Sequence, residues 1–340
     1  MKKALQKYAV VFLTASFILG TLLVFTGCGE KETASSGGKE IILNEVAHSI
    51  FYAPMYVAIE EGYFEDAGLD VTLVTGYGAD KTMTALLTGE ADIGFMGPET
   101  TIYTYQGGTE DYAVNFAQLT QRAGNFLVSR SPLEKFDYNQ LNGCTVLGGR
   151  AGGMPEMVFE YILRKNGLDP SKDLIIDQSI EFGSTAAAFS GGQGDFTVEF
   201  EPSATALEQK GDGYVITSLG EDSGYVPYTV FSARKSYLEE HPDIIQAFTD
   251  ALQKGMDYVA AHSPSEIAKV IQPQFAETDL ETLVLIIERY HSQDTWKQNL
   301  IFEEDGFDLL QMILMDGEVI SEESPYADLV NTSFAQNAVK

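Results

Sequence analysis

Cysteine, histidine and positive charge are all scarce in this chain. Cys28 and Cys144 are the only two cysteines in 340 residues, which excludes a disulfide framework and a cysteine-rich metal site. Lys and Arg number 21 against 50 Asp and Glu, a formal net charge of −29. Phosphate recognition needs clustered Lys and Arg, so nucleic acid is excluded as a partner. Adsorption to an anionic membrane surface is disfavoured for the same reason. The histidines are His48, His241, His262 and His291, and no HExxH, CxxC or GxSxG occurs. The glycine-rich turn at 148–153 lacks the Lys-Ser/Thr of a P-loop. With so many acids, carboxylate pairs arise from abundance alone and argue for no glycosidase-like site. No catalytic residue, cofactor or metal site is expected.

What is present begins with an address. Lys2, Lys3 and Lys7 precede an apolar run over 8–25 that ends at Thr26-Gly27-Cys28. A basic start, an apolar stretch and small residues at its end are the layout of an export signal. Such a run nearly spans a bilayer, but its shortness and its small-residue end favour cleavage. Cys28 resembles the lipid acceptor of bacterial lipoprotein signals, with Phe25 where that pattern prefers Leu. The expected order is a signal peptide at 1–27, a lipid-modified Cys28 and a flexible tether over 28–39. The tether has no large apolar residue to bury. The neighbours of Cys144 read as a buried strand, which makes this thiol an inert core residue.

The whole sequence is 44% apolar, enough for a real core, and its length suits about two domains. Strand-like runs at 41–46, 71–74 and 92–96 alternate with helical periodicity at 50–61 and 81–87. The pattern returns with strands at 144–147, 174–178 and 195–200 and helices at 155–164 and 185–189. This rhythm implies parallel strands with right-handed crossovers. Segment 81–100 can be laid on 184–204, so that Gly89 matches Gly192, Asp92 matches Asp195 and Pro98 matches Pro202. Two similar lobes follow, with lobe one over 40–127 plus 231–340 and lobe two over 128–230. Extended runs at 125–129 and 227–233 are expected as the crossovers between them. The helices of the C-terminal part, at 242–261, 264–271, 279–290 and 306–315, are expected to return over the first lobe.

Parallel α/β sheets bind ligands beyond the carboxyl ends of their strands, and here that rule selects five loops. The first holds His48, Phe51 and Tyr52, the second Tyr77, and the third Gly97 and Glu99. From the second lobe come Arg150, Gly152, Gly153 and Met154, then Glu199 and Glu201 beside Phe200. Tyr228 adds a further ring from a crossover. Aromatic faces with carboxylate acceptors suit a planar, nitrogen-bearing ligand that donates N–H groups. Arg150 and its glycine-rich turn suit a sulfonate or carboxylate instead. Each residue also has a plainer role: Glu199 pointing to solvent, Glu99 at a helix N-terminus, Arg150 paired with Glu156, a tyrosine packed under its loop.

The stretch AHSIFYAPMYVAIEEGYFEDAGLDVTLV at 47–74, with LLTGEADIGFMGPE and FSGGQGDFTVEFEP further on, resembles the NitT/TauT-type solute-binding proteins. The resemblance runs over about 40–335. It implies a type II periplasmic-binding-protein fold, α/β, with two βαβ lobes joined by two crossover strands and the ligand between them. It further implies a monomeric, SsuA-like capture component of an ABC importer, working with a permease and its cytoplasmic ATPase. Its place would be the outer face of the bacterial cytoplasmic membrane, held by the lipid anchor alone. Members that carry thiamine-pyrimidine precursors hold a flat heterocycle between aromatics with carboxylates nearby, which this cleft resembles. Carriers of sulfonates, taurine or nitrate are the alternative. An enzyme that processes a pyrimidine on the same fold is the alternative from another class, and the cysteine-rich motif of the pyrimidine-making branch is absent.

Overall fold

Strands alternate with helices along residues 38–181 and 183–340, which a computed structural model describes. The expected signal peptide, Cys28 and the tether up to residue 37 lie outside the described residues. Among the described residues no helix is long and apolar enough to cross a membrane.

Two five-stranded sheets organise the chain. The first contains β1 (Lys39–Glu45), β2 (Leu69–Thr75), β3 (Ile93–Met96) and β4 (Ala113–Thr120). The second contains β5 (Asn125–Ser129), β6 (Thr145–Leu147), β7 (Ile175–Asp177), β8 (Phe196–Phe200) and β9 (Tyr214–Ser218), and β10 (Thr229–Arg234) returns to the first. The orders are β2-β1-β3-β10-β4 and β7-β6-β8-β5-β9. In each, three strands run parallel and a fourth, arriving from the other sheet, inserts antiparallel. The expected crossover strands are therefore interior members of the sheets, and the passages between sheets are the short segments 121–124 and 224–228. The physical reason is hydrogen bonding. NFLVS is buried along its whole length, and only neighbours on both sides satisfy its main-chain groups there.

The internal match has a structural meaning. Asp92 Oδ2 accepts the Ile42 N–H at 2.9 Å, and Asp195 Oδ2 accepts the Thr145 N–H at 2.8 Å. Each aspartate ties the start of its strand to the neighbouring parallel strand. Gly89 and Gly192 both sit at positive φ, 79° and 99°, where a Cβ is disfavoured. One local device thus opens the third parallel strand of each sheet.

The helix expected over 50–61 is a 3-10 turn, Ile50–Tyr52, followed by a helix at Ala53–Glu60. Ser49 caps the turn through the Phe51 N–H, and Pro54 sits in the first helical turn. The helix Pro242–Ala261 covers it closely: a Cβ at Gly255 would lie 2.2 Å from the Pro54 carbonyl. In the core behind, Phe95 and Phe231 stack with ring centroids 4.1 Å apart. The C-terminal helices do not serve the first lobe alone. From the helix Leu280–Ser292, Arg289 pairs with Glu201 and Glu208 of the second lobe, and Thr282 accepts a hydrogen bond from Gln209. These two carboxylates of the second lobe need a cation, and this helix supplies it.

Candidate functional site

The carboxyl ends of β1 and β3 and the start of β10 face the ends of β6 and β8 across a cleft. Val46, Tyr52, Gly97, Glu99 and Tyr228 on one side, with Arg150, Gly153, Met154, Pro155 and Phe200 on the other, enclose a chamber of about 40 Å³. Pro155 and Phe200 also line a second chamber of about 130 Å³, bounded by His48, Ser49, Tyr77, Thr185, Glu199 and Glu201.

Glu99 dominates the first chamber. It opens the helix Glu99–Gln106 directly after Pro98. Its residue is 1% exposed, and neither carboxyl oxygen has a hydrogen-bond partner. Burial pushes the carboxyl up to about 7, against the opposing pull of its own amide, Arg150 and the Met154 amide. A buried acid without a partner is costly, so this position is held by its surroundings. A Cβ at Gly97 would lie 2.0 Å from Glu99 Oε2 and 2.6 Å from Met154 Cγ. Glycine there leaves the room both side chains occupy. Tyr52 and Tyr228 are buried walls, and Tyr228 hydrogen-bonds Asn125 at 3.5 Å.

Arg150 does not pair with Glu156. Its Nε lies 3.4 Å from Asp80 Oδ1 on the opposite lobe, while Glu156 accepts the Gly152 N–H. Other contacts also span the cleft. Tyr103 donates to the Gly152 carbonyl at 2.9 Å, and Ser49 to the Glu201 carbonyl at 2.7 Å.

The second chamber holds Glu199, buried and accepting from Thr197 at 2.6 Å, its carboxyl pushed up to about 7 by burial. It does not point to solvent. His48 is held at both ring nitrogens, by Glu45 Oε1 at 2.9 Å and the Gln274 carbonyl at 2.8 Å. Two oxygen partners favour the imidazolium, and the hydrogen bond to Glu45 raises its pKa against burial. The Glu45 carboxyl is fully buried and also accepts from Tyr56 and Thr75.

Three expectations need correction. Phe51 lines neither chamber. It is wholly buried, ringed by Tyr52, Phe200, Tyr228 and Tyr290 at 5.2–5.8 Å and pressed on Gly124, so it belongs to the core beneath the cleft. Gly152 also lies outside both linings, its carbonyl and N–H committed to Tyr103 and Glu156. Glu201 borders the second chamber, but its carboxylate is already engaged by the Thr205 N–H, the Thr205 hydroxyl and Arg289 at 2.8–2.9 Å. Tyr77, 59% exposed at φ 55°, borders the second chamber, whereas Tyr52 borders the first.

A family model described as "NMT1/THI5 like" matches residues 50–267. The chain belongs to the NMT1/THI5-like family. The matched span includes all of the first-chamber lining except Val46. "Putative binding protein YtlA" of Bacillus subtilis (strain 168) is 42% identical over 315 residues, 93% of either chain. Among solved structures, the nitrate-binding protein NrtA from Synechocystis PCC 6803 superposes with a TM-score of 0.74 at 14% identity, over 89% of this chain and 88% of that one. The alkanesulfonate-binding protein SsuA from Xanthomonas axonopodis pv. citri, bound to MOPS, gives 0.70 at 15% identity, over 86% and 98%. The NMT1/THI5-like chain therefore has the two-lobed α/β fold of periplasmic binding proteins.

Sequence reasoning missed Val46, Asp80, Pro155 and the network around Glu45. Asp80 lies two residues beyond the Gly76–Gly78 turn, in the first turn of the helix Ala79–Thr88. Following each strand-end loop into the next helical turn would have found it. Cys144 is part-buried beside the Gln140 carbonyl rather than deep in the core, and burial pushes its thiol up. Among the described residues no group of three or more His, Cys, Asp or Glu is placed to hold a metal.

Proposed function

We propose that this NMT1/THI5-like protein is the extracytoplasmic solute-binding component of an ABC importer. It is exported behind residues 1–27, anchored through a lipid on Cys28, and works as a monomer with a permease and its ATPase. Its ligand is a small nitrogenous heterocycle of the thiamine-pyrimidine kind. The observation that carries the ligand class is the Glu99 carboxyl, buried, without a hydrogen-bond partner and lining the same chamber as Tyr52 and Tyr228. A ring stacks or packs on the tyrosines, and its amino group supplies the hydrogen bonds Glu99 lacks. The chamber is far below the roughly 300 Å³ at which small-molecule pockets begin. Ligand entry therefore needs the lobes to part, and reclosure excludes water and strengthens each polar contact. The likeness to the binding proteins YtlA, NrtA and SsuA supports the carrier reading.

Arg150 in the same lining favours a second reading, a carrier for sulfonates, taurine or nitrate. Calorimetry of the purified protein against an aminopyrimidine, taurine, an alkanesulfonate and nitrate separates the two. Heat from the aminopyrimidine is expected. Tight binding of taurine or nitrate with none from the heterocycle overturns the ligand class. For the anchor, Cys28→Ser is expected to block lipid labelling, and a mutant still labelled removes that assignment.

A further inference from the structure

We infer that Asp80 is a specificity-determining residue that keeps the cleft closed to anions by occupying Arg150 from the opposite lobe. Arg150 is the only Lys or Arg bordering either cleft chamber among the described residues. An anionic ligand would seek it. In this structure its Nε faces Asp80 Oδ1 at 3.4 Å, and another of its nitrogens donates to the neighbouring Ala151 carbonyl. Asp80 belongs to the helix Ala79–Thr88, whose preceding loop follows β2, whereas Arg150 follows β6. The pair therefore exists only where the two lobes meet.

The local backbone is arranged for this reach. Gly78 precedes the helix at φ 148°, and a Cβ on it would lie 2.8 Å from Asp80 Oδ1. Gly78 and Ala79 themselves line the first chamber, so Asp80 is anchored at its rim. The charges around Arg150 then sum against an anion. Asp80 offsets the guanidinium from outside, Glu99 opposes an anion from within once it is ionised, and Glu156 adds a third acid nearby. An anion captured by Arg150 in the open cleft would meet Asp80 as the lobes closed. A cationic or amino-bearing ligand meets no such conflict. Specificity here comes from a repulsive element as much as from an attractive one. Asp80 acts through Arg150 and touches no ligand in this account. The inference rests on the cleft between the lobes being the ligand site.

The test compares ethanesulfonate and nitrate titrations of the wild-type protein, Asp80→Asn, and Asp80→Asn combined with Arg150→Gln. Asp80→Asn is expected to bind ethanesulfonate about tenfold more tightly than wild type, the effect of removing one nearby like charge. The gain is expected to vanish in the double variant. Asp80→Ser serves as a second replacement should the amide disturb the helix start. Unchanged anion affinity in both single variants overturns the inference, and so does a gain that survives loss of Arg150. An aminopyrimidine titration of the wild type reports on the proposed ligand separately, so either idea fails without the other.

Discussion

Glu99 and Glu201 flank the matching prolines of the two lobes from opposite sides, Glu99 following Pro98 and Glu201 preceding Pro202. Each stands at the end of a sheet's third parallel strand, beside a proline and at the start of a helix, and each is almost wholly buried. Their surroundings differ completely. Glu201 receives two hydrogen bonds from Thr205 and an ion pair from Arg289. Neither Glu99 oxygen has a partner in hydrogen-bond geometry, although its burial is the same, and only the weaker pull of nearby amides and Arg150 acts on it. One acid has become a structural tie between the second lobe and the helix Leu280–Ser292. The other has been left with its bonding capacity unspent, facing a chamber. A buried carboxyl is costly in either place, but only the second arrangement leaves that cost for a ligand to relieve.

The largest effect that would test this contrast is on the satisfied side. Arg289→Met leaves the Glu201 charge buried without its cation, and is expected to cost about 3 kcal/mol of stability by urea unfolding, the lower end for a broken buried pair. Aminopyrimidine affinity should stay within a small factor. A large affinity loss with little destabilisation would reverse the roles assigned to the two acids.

Next comes Glu99→Gln. It is expected to lose about 2 kcal/mol of binding to an amino-bearing heterocycle, the worth of a hydrogen bond to a charged group. Wild-type affinity should fall as pH drops through about 7, where the carboxylate takes up its proton. A flat pH profile would show that Glu99 makes no charged contact.

The same acid predicts an opposite sign for the ligand-free protein. Its folded pKa is raised from 4.5 to about 7, so the folded state holds the proton more tightly. Folding stability from this group is then fully present below 4.5 and is lost as pH rises to about 7. Thermal melts of Glu99→Gln should exceed wild type above that range and converge with it below. Glu199, shifted the same way, leaves a similar slope in both proteins.

The smallest effect belongs to His48. Its pKa is raised from 6.5, chiefly by the hydrogen bond to Glu45. Its contribution is fully present below 6.5 and lost as pH rises through the raised value. His48→Gln should therefore lower the melting temperature on the acid side by the equivalent of about 1 kcal/mol, and less on the alkaline side. Equal losses at both ends would mean that the ring's shape matters and its charge does not.

Much of this was legible from the residues. The alternation of strands and helices, the repeated Gly and Asp before the third parallel strand, and the loops that meet at the cleft are all local patterns. Periodicity, turn chemistry and the strand-end rule read them directly. Tyr52, Gly97, Glu99, Arg150, Gly153, Met154 and Tyr228 reached one chamber for that reason. Charge and cysteine counts likewise need no fold to exclude whole classes of partner.

What a side chain does once it arrives was decided elsewhere. Phe51 and Tyr52 are adjacent and both aromatic, yet one packs on Gly124 in the core and the other walls the cleft. Glu201 is held by Arg289, 88 residues away, and Arg150 is met by Asp80, 70 residues away in the other lobe. Whether a buried acid or base is satisfied depends on groups brought near by the sheets and the returning helices. The sequence by itself therefore determined which loops meet at the cleft, because that follows from local strand and turn signals. Only the tertiary structure decided which of their charges remain free, because an ion pair is set by distance in space and not by distance along the chain.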